Sequence, residues 1–478
     1  MRRAILAAAV CAACSSARTD DTAASAADLI PAKVVDVSRD QTSQNETPLA
    51  INPLNPLNLV TGANDWNLNF GCAVNATFDG GKTWTATVPN GFIPGVTKLT
   101  NDPNVPGTGL FDAGGDPAIA FGPDGTAYFV CQAFNLTSPF QIALLVSRST
   151  DGGRTWLDGG KDKLTQVTTW NGNGKTKGSN GQFPDHESIY VDRSPQSPFF
   201  GSIYVSWVQF DGFGTHSPVN VAISRDGART FSTPAKVTAG NVRNNQDARI
   251  VSAPDGTLFL TFDNGVQGGK GTVMYVSSSK DGGVTWSAPF QFAAFTNPVC
   301  TFPPFCFNIA GGQFRSGGSY PVPAFNAANN RLYVIFPDIE GPFAQVYITS
   351  ASASDLTRWT APVAIAPAGG DRFQAEMSIA PSGRIDVSFY DRSYSTNRLV
   401  DLTLASSSDF GATFTSRRVS SAGFDPAVWG VPSSTGFRPF IGDYNGMVST
   451  DASTGITWTG VAPPQPFNLE IDFASIPQ

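Results

Sequence analysis

The chain has 478 residues, only 14% of them charged, with a formal net charge of -7 and an isoelectric point near 4.9. A nucleic-acid surface needs clustered Lys and Arg, so this balance argues against such a partner. Abundant Gly (48), Pro (35) and Phe (35), with no apolar stripe at helical spacing, predict an all-β chain organised as one large repeat rather than a bundle of helices.

The N-terminus reads MRRAILAAAVCAACSS, in which Arg2 and Arg3 precede a short apolar stretch, Ala4 to Ala13, and then a cysteine. This is the pattern of an export signal, too short to span a bilayer. Ala12 and Ala13 ahead of Cys14 resemble a bacterial lipobox, which implies cleavage before Cys14 and lipidation of its thiol. Cys11 stands where that pattern usually has Leu, and ordinary cleavage near Ala13 is the alternative. Residues 1–14 are assigned to the signal, 15–32 to a flexible Ala/Ser/Thr/Asp tether, and 33–478 to a single domain. The protein is thus expected in the cell envelope or outside the cell, as a monomer, touching membrane only through a lipid anchor.

An exported protein can oxidise its remaining cysteines. Cys300 and Cys306 flank the short loop TFPPF, which a disulfide would pin, leaving Cys72 for Cys131. A four-cysteine metal site is the rival reading, but no CxxC spacing supports it.

Along the chain one eight-residue template recurs: TFDGGKTW, STDGGRTW, SRDGARTF, SKDGGVTW and SSDFGATF, with a decayed copy SASDLTRW. Its aspartates are Asp79, Asp151, Asp226, Asp281, Asp355 and Asp409. Asp-Gly and Gly-Gly supply the positive φ of a tight turn, the carboxylate accepts amides of its own turn, and the closing aromatic plugs the space between layers. These aspartates are therefore expected to be structural staples. Ahead of each box lies a hairpin, such as PAIAFGPDGTAYFVCQ or RIVSAPDGTLFLTFDN, and a further hairpin, MVSTDASTGITWTGV, follows the last box. Two strands, a loop, a strand, a box and a fourth strand make one propeller blade. Counting hairpins predicts a β-propeller of seven four-stranded blades, with KVVDVS (residues 33–38) completing the seventh beside NLEIDFA and removing an exposed edge. Six blades plus a tail is the alternative.

The boxes resemble the Asp-box, or BNR, repeats of the sialidase superfamily over nearly the whole chain, and QNETPLAINPLNPLNLV, VSFYDRS and FIGDYNGM are similar to exported bacterial exo-α-sialidase-like proteins. The resemblance implies the fold more strongly than the activity. Sialidases of that family carry an FRIP-like Arg near the first strand, two more Arg for the substrate carboxylate, and a Tyr nucleophile activated by Glu, on six blades. The corresponding strand here, TPLAINPL, has no Arg, the nearest upstream being Arg39.

Topology directs the search for a site to the face opposite the boxes. At or before the start of each first strand stand Glu46, Asp116, Glu187, Asp247, Glu376 and Asp443; after each second strand stand Asp65, Asp211, Asp263, Asp338 and Asp391. The first set should ring the channel mouth, where like charges raise some pKa values unless cations neutralise them. Arg315, Arg372 and Arg438, each beside a Phe ahead of a first strand, with Arg249 and Arg392 nearby, can hold an acidic sugar bidentately or pair with the acids and fix blade to blade. His186, between Asp185 and Glu187, is a candidate proton shuttle; His216 lies in a loop. Glu376 with Tyr390, or Asp391, are the candidates for acid–base or nucleophilic work, and Tyr444 is the other tyrosine beside an acid. Two functions follow. One is a propeller that binds a glycan or surface protein without chemistry; the other is a sialidase-like glycoside hydrolase acting on an acidic glycan. No cofactor is expected, although oxygen-only ligands at the acidic ring suit calcium.

Overall fold

The computed structural model describes residues 32–39, 42–66, 71–86, 95–98, 109–137, 140–156, 164–171, 183–210, 216–240, 242–264, 272–295, 320–433, 436–463 and 465–478. These residues contain no helix. They form seven antiparallel blades, whose inner strands are Leu49–Asn52, Ala113–Phe121, Phe183–Val191, Asn245–Ser252, Val322–Asn326, Arg372–Ile379 and Gly446–Ser449. Each inner strand touches the inner strands of its two neighbours, closing the ring around a channel. In the seventh blade, Gly446–Ser449, Ser453–Val461 and Leu469–Pro477 are joined by Val34–Asp36, which pairs with Leu469–Pro477 as the outermost strand. A small ribbon, Val431–Ser433 with Gly436–Arg438, stands apart from the blades.

Apolar side chains on alternate positions face the adjacent blade, so the core is a series of inter-blade layers. The boxes lock those layers. In the first box Asp79 Oδ1 accepts the Thr83 amide (3.0 Å), the Lys82 amide (2.9 Å) and the Thr77 hydroxyl (2.8 Å), while Oδ2 accepts the Thr83 hydroxyl (2.6 Å). Asp151, Asp226, Asp281 and Asp409 repeat the Ser and Thr bonds. These bonds, from Thr83 above all, pull Asp79 down to about 2. The decayed copy differs: Ser352 bonds Ser354 rather than the aspartate, and Asp355 accepts from Thr357, pairs with Arg358 at 3.5 Å and lies within the fourth-strand segment Asp355–Trp359. Its spacing is one residue longer between Ser and Asp, so the carboxylate misses the Ser hydroxyl.

Four of the boxes are also hydrogen-bonded to the blade before them. Asn58 donates to the Gly152 carbonyl (2.9 Å), Arg148 to Gly227 (3.0 Å), Arg225 to Gly282 (3.1 Å) and Tyr333 to Phe410 (3.2 Å). At the seam between blades seven and one, Gly81 has φ +86° and a Cβ there would strike the Phe473 ring, which lies edge-on to Trp84 at 5.1 Å. Gly81→Ala should therefore destabilise the protein by about 2 kcal/mol or more. Chemical denaturation checks this, and Gly201→Ala, at similar φ but in open space, separates the clash from the backbone cost. Cys72 of blade one and Cys131 of blade two are joined by a disulfide; Cys14, Cys300 and Cys306 lie outside the described residues.

The seam in blade seven carries an acidic pairing. Asp36 lies directly opposite Asp472, and Glu470 accepts the Ser38 hydroxyl at 2.6 Å. Burial, reinforced by Asp36, raises Glu470 to about 8 and Asp472 to about 7, the Ser38 bond opposing this only in part. Both folded values exceed those of free carboxyls, so their stabilising contribution is full below the ordinary carboxyl range and is lost as pH rises through 7 to 8. The parent should lose roughly 1–3 kcal/mol of stability between pH 6 and pH 9. Paired Asp472→Asn and Glu470→Gln substitutions should remove that slope in melting curves.

Candidate functional site

One backbone device builds the face opposite the boxes. In blades two, three, four and six the inner strand carries a β-bulge, between Gly115 and Ala118, Asp185 and Ser188, Gln246 and Arg249, and Phe373 and Glu376. Immediately after each break stands a residue of positive φ: Asp116 (54°), His186 (54°), Asp247 (50°) and Gln374 (49°). Glu46 (61°) holds the same place in blade one, between Gln44–Asn45 and Leu49–Asn52. Tyr320 stands two residues ahead of Val322 in blade five, and Asp443 three ahead of Gly446 in blade seven. Bulges re-aim side chains, and left-handed backbone at a residue with a Cβ costs about 1–3 kcal/mol.

These side chains meet across blades. His186 Nδ1 lies 3.0 Å from Asp247 Oδ1, and Arg249 Nε donates to the same oxygen at 2.9 Å. Arg249 Nη1 then reaches both oxygens of Glu376, at 2.8 and 2.9 Å. The result is a buried relay, His186–Asp247–Arg249–Glu376, through blades three, four and six. The rings of Tyr320 and Tyr444 lie 4.6 and 5.5 Å from the His186 ring, and Tyr444 Oη donates to the Pro117 carbonyl at 2.8 Å. Asn64 Nδ2 donates to Glu46 Oε2 at 2.6 Å, while its Oδ1 accepts the Asp116 amide.

Burial works against charge on Asp247, but Arg249 and His186 outweigh it and hold the carboxyl below its usual range. Burial likewise opposes the imidazolium of His186, and Asp247 overcomes it, raising that pKa. Glu187 goes the other way. Burial pushes it well above a normal carboxyl, and Asp116, Asp185 and Glu46 add to the effect. Asp263, on the neighbouring strand, is raised by burial and by Asp247. Several buried polar atoms here make no hydrogen bond to another described residue: both oxygens of Glu187, His186 Nε2, Asp247 Oδ2 and both amide atoms of Gln374.

The structure brings together Glu187, His186, Asp247, Arg249, Glu376 and Asp443, the last donating its amide to Glu46. Other predicted residues are turned elsewhere. Arg372 enters the wall between blades five and six, bonded to Asp391 (3.1 Å), Gln345 (2.7 Å) and the Pro367 carbonyl. Arg392 lies 3.6 Å from Asp371 and donates to the Arg398 carbonyl. Tyr390 is wholly buried between blades six and seven, its hydroxyl on the Thr459 carbonyl (2.9 Å) and Asn445, while Glu376 is occupied by Arg249. Arg438 sits exposed on the separate ribbon. The expected convergence of arginines is thus not formed by Arg249, Arg372, Arg392 and Arg438, because each of the first three is matched to an acid; Arg315 and Asp211 lie outside the described residues. Sequence reasoning missed Tyr320 and Gln374. Their signal was position alone, aligned with Asp116, His186 and Asp247 two residues ahead of resumed pairing. Among the described residues no three His, Cys, Asp or Glu side chains are grouped as a metal's ligands would be.

Replacing Arg249 with Met should leave Asp247 and Glu376 buried without their cation, costing about 3–5 kcal/mol at neutral pH. Thermal unfolding at pH 7 and pH 4 checks this, the deficit shrinking in acid as those carboxyls protonate.

No family model matches the chain, and no curated protein sequence does either. Its fold is similar to that of a protein of unknown function from Dyadobacter fermentans, at 13% identity over 94% of this chain and 99% of that one, with a TM-score of 0.51. It is also similar to the Hadza microbial sialidase Hz136 (16% identity, 88% and 73% covered, TM-score 0.48) and to a leech intramolecular trans-sialidase (12%, 80% and 71%, 0.48). At these identities the likeness concerns architecture.

Proposed function

We propose that the channel mouth opposite the Asp boxes is a carbohydrate-binding site on an exported, surface-tethered protein. The observation that carries this reading is the set of residues in strained backbone at the mouth of five blades, four of them in β-bulges. At the box turns the fold meets positive φ mainly with glycine, Ala228 and Phe410 being exceptions, whereas at the mouth the same conformation is borne by Glu46, Asp116, His186, Asp247 and Gln374. Strain kept with functional side chains signals a site. Carboxylates and amides suit sugar hydroxyls, and the Tyr320 and Tyr444 rings suit sugar faces. An acidic sugar gripped by Arg249 or Arg372 fits less well, since those guanidinium groups already hold Asp247, Glu376 and Asp391.

A glycan array followed by calorimetry tests the proposal. Glu187→Gln and Gln374→Ala should each weaken binding about tenfold, the worth of one good hydrogen bond to a buried partner. Asp79→Ala, on the opposite face, should lower stability and leave affinity unchanged. Absence of any glycan ligand, or full affinity in both mouth variants, would overturn it.

One observation favours hydrolysis as a second reading: within one cluster Glu187 is driven toward the neutral acid while Asp247 is held ionised, the split that acid–base cleavage of a glycosidic bond requires. On that reading Glu187→Gln lowers turnover of a cleavable glycan by about 10²–10⁴ and removes the alkaline limb of its pH profile.

A further inference from the structure

Away from the channel, a cavity of about 150 Å³ opens between blades six and seven. Its walls include Tyr390, Phe424, Trp458 and Val34, and two carboxylates, Asp401 and Asp472, border it. Phe424 stands edge-on to Tyr390 at 6.5 Å and is held over the opening by reciprocal backbone bonds with Val400 (2.8 and 3.1 Å). Trp458 lies directly opposite Asp472 on the neighbouring strand, so ring and carboxylate share one face. Two glycines make room for the acids. A Cβ on Gly460 would strike the Asp472 carboxylate, and one on Gly423 would lie 2.7 Å from Asp401 Oδ2.

The charges are unequal in their partners. Asp401 is matched by Arg418 (2.6 Å) and by the Ser420 hydroxyl (2.8 Å). Asp472 makes neither an ion pair nor a hydrogen bond among the described residues, and its nearest charged neighbours, Asp36 opposite and Glu470 two residues away on the same strand face, are also acids. A half-buried carboxylate beside further acids and aromatic rings is poorly suited to an anion, and the absence of three convergent ligands among the described residues argues against a metal ion. What remains complementary is a soft, weakly hydrated positive charge.

We propose that this cavity is a binding site for a small organic cation, an alkylammonium group seated against Trp458 and Phe424 with Asp472 as its counter-charge. The site is separate from the channel mouth and stands whether or not the mouth binds glycan. Occupancy should be linked to protons, because a bound cation favours ionised Asp472 among Asp36, Glu470 and the Asp401–Arg418 pair; affinity should rise from pH 6 to pH 8.5.

Calorimetry on the full chain with choline, and with its neutral isostere 3,3-dimethylbutan-1-ol, at matched ionic strength, tests the site. Choline should bind saturably and at least about tenfold more tightly than the alcohol. Asp472→Asn, which relieves the acidic seam and so keeps the fold, should lose that preference, and Phe424→Leu should weaken choline severalfold without restoring affinity for the alcohol. No saturable binding of choline, equal binding of the isostere, or unchanged binding by Asp472→Asn would overturn the assignment.

Discussion

The rest of the structure depends on one interaction: a carboxylate held inside its own turn, whose backbone carbonyl is at the same time bonded to the preceding blade. Caging Asp79, Asp151, Asp226, Asp281 and Asp409 by Thr and Ser donors fixes the turn; Asn58, Arg148, Arg225 and Tyr333 then fix the last four of these turns in the ring, and Gly81 seats the first beneath Phe473. A blade alone cannot bury both its faces. The docking makes each blade's stability conditional on its neighbour, so the architecture is settled blade by blade around the circle.

With that face committed to holding the ring, the other is released for chemistry. Positive φ appears on both faces but serves different ends. At the boxes it lets the chain turn within a close approach, as Gly81 does beneath Phe473; at the mouth it points Asp116, His186, Asp247 and Gln374 where pleated strands would not. The relay from His186 to Glu376 shows the electrostatic cost of crowding acids there, since Arg249 neutralises two of them through its Nε and Nη1. Glu187 receives no such help, and protonation is its remaining way to stay buried.

Much of this was legible in the sequence. The boxes and hairpins have short-range signatures, and counting them yields seven blades, as found. The acids around the mouth were also foreseeable, because strand polarity alone sets them opposite the boxes. Direction of side chains was not. Arg372 and Arg249 look alike as residues near the start of inner strands, yet a bulge shifts the alternation between them and their partners, sending one into the wall and the other into the mouth. In sequence Tyr390 stands beside Asp391 as a candidate nucleophile, but the packing of blade seven gives its hydroxyl to Thr459 and Asn445. A bulge is one extra residue, invisible to hydropathy and visible only when seven strands are superposed.

The strand Val34–Asp36 also has a consequence for how the chain reaches its fold. Every blade from one to six is assembled from segments near one another in sequence, whereas the bond from Ser38 to Glu470 spans 432 positions. Loop-closure entropy for that span is about 5 kcal/mol, against far less for a hairpin. The ring should therefore form as an open arc, with its ends meeting in the slowest event, and until they meet the edge of Leu469–Pro477 is the strand most at risk of pairing with another molecule.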